Sequence, residues 1–446
     1  MRKGEIDIIT LGCSKNLVDT ERLMRQLELT GYRCVHDSPN PNGEIAIINT
    51  CGFIGDAKEE SIEMILQFAD RKNRGKLSKL YVMGCLSQRY AKELPAEIPE
   101  VDGWFGKFDY LGIVEKCASA QFSERPTGYS LEVKGKGYER TLTTPNHYAY
   151  LKIAEGCNRY CSYCAIPLIT GKFTSRKIED ILDEVKWLVS IGVKELNVIA
   201  QDLSSYGLDL YGEHRLAELL DKMAQIEGVE WIRIHYTYPT DFPYDILPVM
   251  AKHNNICKYM DIALQHCSDN MLKLMRRHIT REEQNALIAR IRKEVPGICL
   301  RTTLLVGHPG ETEEDFNELC DWVKEMKFER LGAFAYSEEE GTYAARHYQD
   351  DIPQEEKDRR VDTIMTLQQT ISSELLSQMV GTQQRVVIDR EEADYYIGRT
   401  QYDSPEVDCE VLIEKRGDEE KGKLNIGEFY SVNIIKSEDF DLYASL

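Results

Sequence analysis

No apolar stretch of this 446-residue chain approaches the 18 or so residues that cross a bilayer, so no membrane span is expected. The N-terminus, MRKGEIDIIT, has no long apolar segment of the kind a secretory signal needs. It runs directly into a strand pattern. There is no internal repeat and no low-complexity tract, which removes solenoids and disordered linkers from consideration. Positive charge is also short: 55 Lys and Arg face 75 Asp and Glu, a net of −20. That balance disfavours a nonspecific nucleic-acid binder and favours solubility or a basic partner. The 13 cysteines are an odd number in a chain with no evident signal. A disulfide framework is therefore not expected; a reducing cytoplasm and metal-binding thiols fit better. Hydrophobic and aromatic contents of 42% and 9% are ordinary for globular protein, and the length leaves room for two or three domains.

The pattern divides into three regions, 1–140, 141–380 and 381–446. The first is α/β. EIDIITLG, EIAIINT and KLYVMG read as strands, with helical periodicity over Val18–Leu29, Lys58–Ala69 and Ser87–Leu94. Strands alternating with helices predict a parallel sheet between two helical layers. Residues 121–146 read as a linker or hairpin. From about 147 to 352 six strand–helix units follow, with strands YAYLKIA, KELNVIA, VEWIRIHY, KYMDIAL, ICLRTTLLVG and FERLGAFAYS. Six units predict an open, partial (β/α) barrel, since a closed eight-unit barrel needs roughly 250 residues. Residues 354–379 form one long helix with Val361, Ile364, Leu367, Ile371, Leu375 and Met379 on a face. After Gly381, RVVID, YYIGRT, EVLIE and YSVNII predict a small antiparallel β-barrel.

The middle region opens with EGCNRYCSYCAIP, which places Cys157, Cys161 and Cys164 within eight residues. Three thiolates can hold three irons of a four-iron cluster, whereas a fully ligated cluster takes four. The fourth iron is then open to a substrate or cofactor. Zinc would want a fourth ligand and paired knuckles. An electron-transfer ferredoxin would supply a fourth cysteine. The spacing, with Ala165-Ile166-Pro167 after it, resembles the signature loop of the radical S-adenosylmethionine (SAM) enzymes. In that family the open iron chelates SAM, and one electron cleaves it to a 5′-deoxyadenosyl radical.

Three more cysteines recur at matching places in the first region: Cys13 in TLGCSKN, Cys51 in NTCGFIG and Cys85 in VMGCLSQR. Each follows a strand and precedes a helix, so a parallel sheet brings all three to the edge where ligands bind. Gly12, Gly52 and Gly84 allow tight turns beside them, and helix N-termini are expected to lower the thiol pKa values. A buried core cysteine is the plain alternative for any one of them. Cys34, Cys117, Cys257, Cys267, Cys299, Cys320 and Cys409 show no such pattern and are assigned as structural.

TLGCSKNLVDTE, the cysteine loop through TSR, IAQDLSSYG, RIHYTYP, LQH, RTTLLVGHPGETEEDF and GAFAYSEEEGT together resemble the methylthiotransferases over essentially the whole chain. The likeness is greatest to the RimO-like group, which methylthiolates an aspartate of the twelfth small-subunit ribosomal protein. The resemblance implies an N-terminal cluster-binding domain, a radical SAM barrel and a C-terminal, OB-like TRAM barrel. It implies two [4Fe-4S] clusters: one on Cys157, Cys161 and Cys164 that cleaves SAM, and one on Cys13, Cys51 and Cys85 that holds the sulfur. SAM serves as methyl donor and as radical source. An unactivated C–H bond has no acidic proton, so general-base chemistry would not suffice.

The same resemblance places Tyr163, Ile166 and Pro167 beside adenine. Glu195, Gln201 and Asp202 fall near the methionine part of SAM, and Arg301 with Leu305-Val306-Gly307 near ribose and adenine. Glu195 has a plain alternative as a solvated charge at a strand start, and Ile166 as core. Gln201 and Arg301 fall at or inside an apolar barrel, where a buried polar group needs a partner. His308, Ala263 and Cys409 depart from the family's usual Phe, Pro and Gly. An electron donor such as flavodoxin or ferredoxin is implied. A tRNA adenosine methylthiotransferase shares the same three domains, and a non-catalytic iron–sulfur or RNA-binding scaffold is the alternative outside enzymes. Residues 381–446 hold eight Lys and Arg against sixteen Asp and Glu. An acidic barrel repels RNA and suits a basic ribosomal protein, so the expected partner is protein and not nucleic acid.

Overall fold

Residue-by-residue alternation in the first strands sorts the N-terminal region into layers. The computed structural model describes residues 2–107, 109–121, 137–415 and 423–446. Strands β1 (Arg2–Thr10), β2 (Arg33–His36), β3 (Gly43–Thr50), β4 (Lys79–Gly84) and β5 (Gly103–Trp104) form a parallel sheet in the order β2-β1-β3-β4-β5. Ile6, Ile8, Ile45, Ile47, Tyr81 and Met83 pack on one face. There they meet helices α1 (Ser14–Leu29) and α5 (Tyr110–Gln121). Ile9, Ala46, Ile48, Leu80 and Val82 pack on the other, against α2 (Gly55–Asn73), α3 (Cys85–Arg89) and α4 (Leu94–Glu97). This period of two is what a sheet buried on both faces requires. The single helix expected over Ser87–Leu94 is thus two short ones. β2, β5 and α5 were not legible in the pattern. Most of the expected linker, 122–136, lies outside the described residues.

The middle region is the open six-stranded sheet that six units predict. β6 (Tyr148–Lys152), β9 (Glu195–Ile199), β10 (Trp231–Thr237), β11 (Ile256–Gln265), β12 (Cys299–Val306) and β13 (Arg330–Ala335) are all parallel, in the order β13-β12-β11-β10-β9-β6. A two-residue antiparallel pair, β7 (Ala154–Glu155) with β8 (Thr174–Ser175), closes the base of the cysteine loop. Leu151, Val198, Ile234, Ile262 and Leu304 face the outer helices. Alternate positions turn inward and are polar. His235 Nε2 lies 3.3 Å from Asn197 Oδ1, and Arg301 lies 3.7 Å from Asp261. The long helix Gln354–Ser377 buries Ile364 and Ile371 as expected; Lys357, Arg360 and Gln368 are buried on it too.

The C-terminal strands β14 (Gln383–Glu391), β15 (Tyr395–Thr400), β16 (Val411–Glu414), β17 (Phe429–Ser437) and β18 (Leu442–Ser445) close into a barrel. Its pairings are antiparallel except β16–β18. This small barrel forms the floor of the large one, and its polar contacts reach every strand of the open sheet. His147 Nε2, just before β6, is 2.8 Å from Asp389, and Tyr148 donates to Glu406 at 3.0 Å. Glu195 on β9 accepts from Arg399 at 2.8 Å. Arg233 on β10 donates to the Gln401 carbonyl at 2.7 Å. Tyr259 and Arg301 on β11 and β12 share Asp408 at 2.9 and 3.3 Å. Arg330 on β13 meets Asp403 at 2.5 Å.

These contacts change the meaning of the acidic C-terminal region. Asp389, Asp403, Glu406 and Asp408 are occupied by the domain junction. Several exposed acids are paired within the small barrel, Glu410 with Arg390 and Glu391 with Lys415 among them. Part of the acid in this region therefore faces the large barrel's strand ends, where Asp389, Asp403 and Asp408 meet His147, Arg330 and Arg301.

Glu195 is fully buried between Arg233, at 3.0 Å, and Arg399. Burial alone would raise its pKa, but Arg399 and then Arg233 hold it below the ordinary carboxylate range. A depressed folded-state pKa gives stability that is complete above the ordinary carboxylate value and is lost as pH falls below it. Arg399→Ala leaves that carboxylate with one partner, and removing one member of a buried pair costs about 3–5 kcal/mol. We expect a lowered urea midpoint for Arg399→Ala and faster protease release of residues 381–446. An unchanged midpoint would show that the floor is held by apolar contacts alone.

Candidate active site

Two trios of cysteines stand at the carboxyl ends of the two parallel sheets. Cys13 caps α1 and Cys85 begins α3, while Cys51 follows β3 by one residue. The three loops touch. A Cβ on Gly12, whose φ is +94°, would lie 2.8 Å from Cys51 Cβ, and one on Gly52 would lie 2.7 Å from Leu86 Cα. Only glycine permits these approaches. Asn16, buried, ties all three loops with one side chain. Its Nδ2 donates to the carbonyls of Leu11 and Thr50 at 3.0 and 3.1 Å. Its Oδ1 accepts from Cys85 Sγ at 3.6 Å. Cys13, Cys51 and Cys85 lie within electrostatic reach of one another.

The second trio lies on the loop between β7 and β8, above the open sheet. Cys157 Sγ accepts the Arg159 backbone N–H at 3.4 Å. Cys161 Sγ takes Arg277 Nη1 at 3.3 Å and lies 3.4 Å from the Tyr238 hydroxyl. Donors aimed at sulfur suit thiolates bound to iron, because such bonds tune a cluster. Among the described residues no three His, Cys, Asp or Glu side chains converge on one metal ion. Three thiols to a trio would leave one iron of a four-iron cluster open, whereas structural zinc takes four protein ligands.

At Cys51 and Cys85 the expected lowering of thiol pKa by helix ends is overturned. Burial pushes Cys85 up to about 12 despite its place at the start of α3. Burial likewise raises Cys51 and takes Cys157 to about 12. A short helix end is outweighed by desolvation, so iron must displace protons as the site loads.

Of the residues matched to SAM contacts, six lie at the cysteine-loop end of the barrel. Tyr163 receives Arg277 Nη1 at 3.4 Å. Ile166 and Pro167 open α6 (Ile166–Thr170) in the same loop. Gln201 donates to Glu155. Asp202 accepts from Arg159 at 2.7 Å and from Ser205 at 2.6 Å. Val306 ends β12, buried. Glu195 and Arg301 do not join them. Glu195 starts β9 and Arg301 is the third residue of β12, both at the opposite end, and they pair across the floor with Arg399 and Asp408. Glu195 is not a solvated charge either, since Arg233 and Arg399 enclose it.

The sequence reading missed Arg159, Tyr238, Arg277, Asn16 and Lys15. Tyr238 and Lys15 sit inside the quoted motifs, and Arg159 sits inside the cysteine loop itself. Only a three-dimensional contact singles out Arg277.

The N-terminal domain grips both edges of the open sheet. At β6, Lys107 pairs with Glu155 at 2.8 Å, Lys152 with Asp19, and Arg140 donates to the Tyr150 carbonyl at 2.5 Å. Beyond β13, Glu339 takes Arg89 at 2.6 Å and Lys58 at 2.9 Å, and Tyr90 donates to Glu340 at 2.7 Å. His308 fills the place of the family's usual Phe. Its buried ring is edge-on to Tyr336 and Tyr348, at 5.1 and 5.8 Å. Ser162 Oγ lies 3.0 Å from its Nε2.

Burial pushes His308 down to about 4. The unfolded chain then binds more protons than the folded one between that value and the ordinary ~6.5. The neutral ring's stabilisation is complete above ~6.5 and is lost as pH falls toward 4. We expect His308→Phe to remove up to about 3 kcal/mol of that pH dependence, read from urea midpoints at several pH values. Asn16→Ala should cost about 2 kcal/mol and lower the iron retained after gel filtration, with the loss confined to the N-terminal trio.

The Radical SAM superfamily model matches residues 151–323, the uncharacterized protein family UPF0004 residues 5–106, and the TRAM domain residues 380–446. Among solved structures, TsrM from Kitasatospora setae, a radical SAM methyltransferase held with tryptophan and a SAM analog, superposes with a TM-score of 0.53. It is 12% identical, over 87% of this chain and 79% of that one. That likeness shows the shared fold. The ribosomal protein uS12 methylthiotransferase RimO of Phocaeicola vulgatus is 61% identical over 446 residues, all of both chains. The protein of that name from Bacteroides thetaiotaomicron is 60% identical over the whole chain and 99% of its own length. That of Cytophaga hutchinsonii is 49% identical over the whole chain and 98% of its own length. With identity of this order from end to end, the chain belongs to the RimO family of radical SAM methylthiotransferases.

Proposed function

We infer that this protein transfers a methylthio group to ribosomal protein uS12, with an aspartate as the residue modified and its β-carbon as the acceptor. Its cofactors are two [4Fe-4S] clusters and SAM. The observation that carries the reading is the pairing of the trios across one mouth. Lys15, two residues after Cys13, lies 3.2 Å over the Tyr236 ring. Tyr238, two residues further along, reaches Cys161. When bound, the barrel cluster supplies the electron that cleaves SAM and the other holds the sulfur to be passed on.

The chain's own residues do the rest. Cys157, Cys161 and Cys164 hold the first cluster, and Cys13, Cys51 and Cys85 the second. Tyr163, Ile166, Pro167, Gln201, Asp202 and Val306 bound the SAM site beside the loop. Asp202 fixes Arg159, and Arg277 supports Cys161 and Tyr163. The regions 1–140, 141–380 and 381–446 divide the work into sulfur holding, radical generation and closure of the floor. A site shut by the N-terminal domain excludes water from reactive species. Among the described residues no helix is long and apolar enough to cross a membrane. We assign the protein to the cytoplasm, where uS12 and a flavodoxin or ferredoxin donor would be met.

The test is the reconstituted enzyme with SAM, reductant and purified uS12, analysed by peptide mass spectrometry. A methylthio group on an aspartate of uS12 is expected. Modification of tRNA adenosine with no uS12 product would overturn the substrate, and iron binding without 5′-deoxyadenosine would overturn the enzyme reading. Cys13→Ala and Cys157→Ala should each lose about one cluster and keep the other, read as iron and sulfide per chain.

A further inference from the structure

Lys15 carries an ammonium that no carboxylate of the described residues pairs at ion-pair distance. It stands in the first turn of α1 and is 8% exposed. No hydrogen bond or ion pair engages its Nζ among the described residues; its contact is the face of Tyr236.

The surroundings point this charge into the barrel mouth. Its field reaches His235 on β10 and Asp261 on β11. Tyr236, beneath it, holds a left-handed backbone with φ +59°, an uncommon conformation for a bulky residue. The Tyr236 N–H donates to Asp261 Oδ2 at 3.3 Å, and Asp261 Oδ1 lies 3.7 Å from Arg301, so neither oxygen pairs with Lys15 at ion-pair distance. Cys13 lies on one side of this contact and, through Tyr238, Cys161 on the other. The ammonium therefore stands between the two trios, where a substrate side chain must enter.

We propose that Lys15 receives the carboxylate of the substrate aspartate and so selects that residue. The inference rests on the uS12 reading. It adds a specificity determinant to it, because the carbon to be modified is bonded to the carboxyl group that Lys15 would hold. A charge-assisted bond from a compact, three-donor ammonium fixes that group, and the neighbouring carbon then falls between the clusters. A neutral amide in its place loses the charge.

The test compares two uS12 substrates, one with the native aspartate and one with asparagine there, on reconstituted wild type and Lys15→Met. Both binding and product formation are measured. Wild type should favour aspartate by about 10- to 100-fold, and Lys15→Met should lose most of that preference through the aspartate substrate alone. Lys15→Arg keeps the charge at a different reach; it should retain the preference with a raised KM, and it serves if Lys15→Met fails to hold iron. Equal losses on both substrates, or an unchanged ratio, would overturn the role of Lys15 and leave the uS12 reading standing. Wild type that modifies neither substrate would overturn the uS12 reading itself, and the proposal with it.

Discussion

A sheet of six parallel strands that does not close has two free edges and two open ends, and the rest of this chain is arranged around that defect. The edges β6 and β13 do not pair with each other. The N-terminal domain holds one by pairing Lys107 with Glu155 and Asp19 with Lys152, and the other by pairing Arg89 and Lys58 with Glu339. The small barrel meets all six strands from below. Closure combines these ion pairs with an apolar seam, where Trp231 lies edge-on to Phe429 at 4.8 Å. Inward positions such as Asn197, His235, Asp261 and Arg301 need partners once water is excluded. The same polarity keeps the mouth fit for charged ligands.

The two cysteine trios depend on this closure in different ways. The barrel trio rides on a loop whose base is pinned by β7 and β8, so its geometry is local. The N-terminal trio is assembled from three distant loops and depends on the sheet register and on Asn16. Its placement opposite the first trio depends on the clamps at both edges. A change at Arg89 or Lys107 could thus alter the distance between trios without touching a cysteine.

Much of this was legible in the sequence. The six barrel strands are apolar runs, the six cysteines recur at strand ends, and the long helix shows its face through Ile364 and Ile371. What stayed hidden has physical reasons. Strand membership does not say which partner meets a strand's first residues, so Glu195 and Arg301 were matched to SAM although the C-terminal barrel claims them. Charge counts do not separate acids at a junction from acids on a surface, as Asp403 and Asp408 illustrate. Helix ends suggested low thiol pKa values, but burial at Cys51 and Cys85 outweighs them. Four-residue strands such as β2 and β18 carry too little pattern to stand out.

The floor has a consequence for how the protein is made. Arg399, Asp403 and Asp408 leave the ribosome after Glu195, Arg233 and Arg330. Before residues 381–446 emerge, those earlier charges lack these partners. Desolvation of this end of the lumen has to await the small barrel. A nascent chain or a prematurely terminated one is a basket without a base, and the segment farthest from the chemistry decides when the vessel holds.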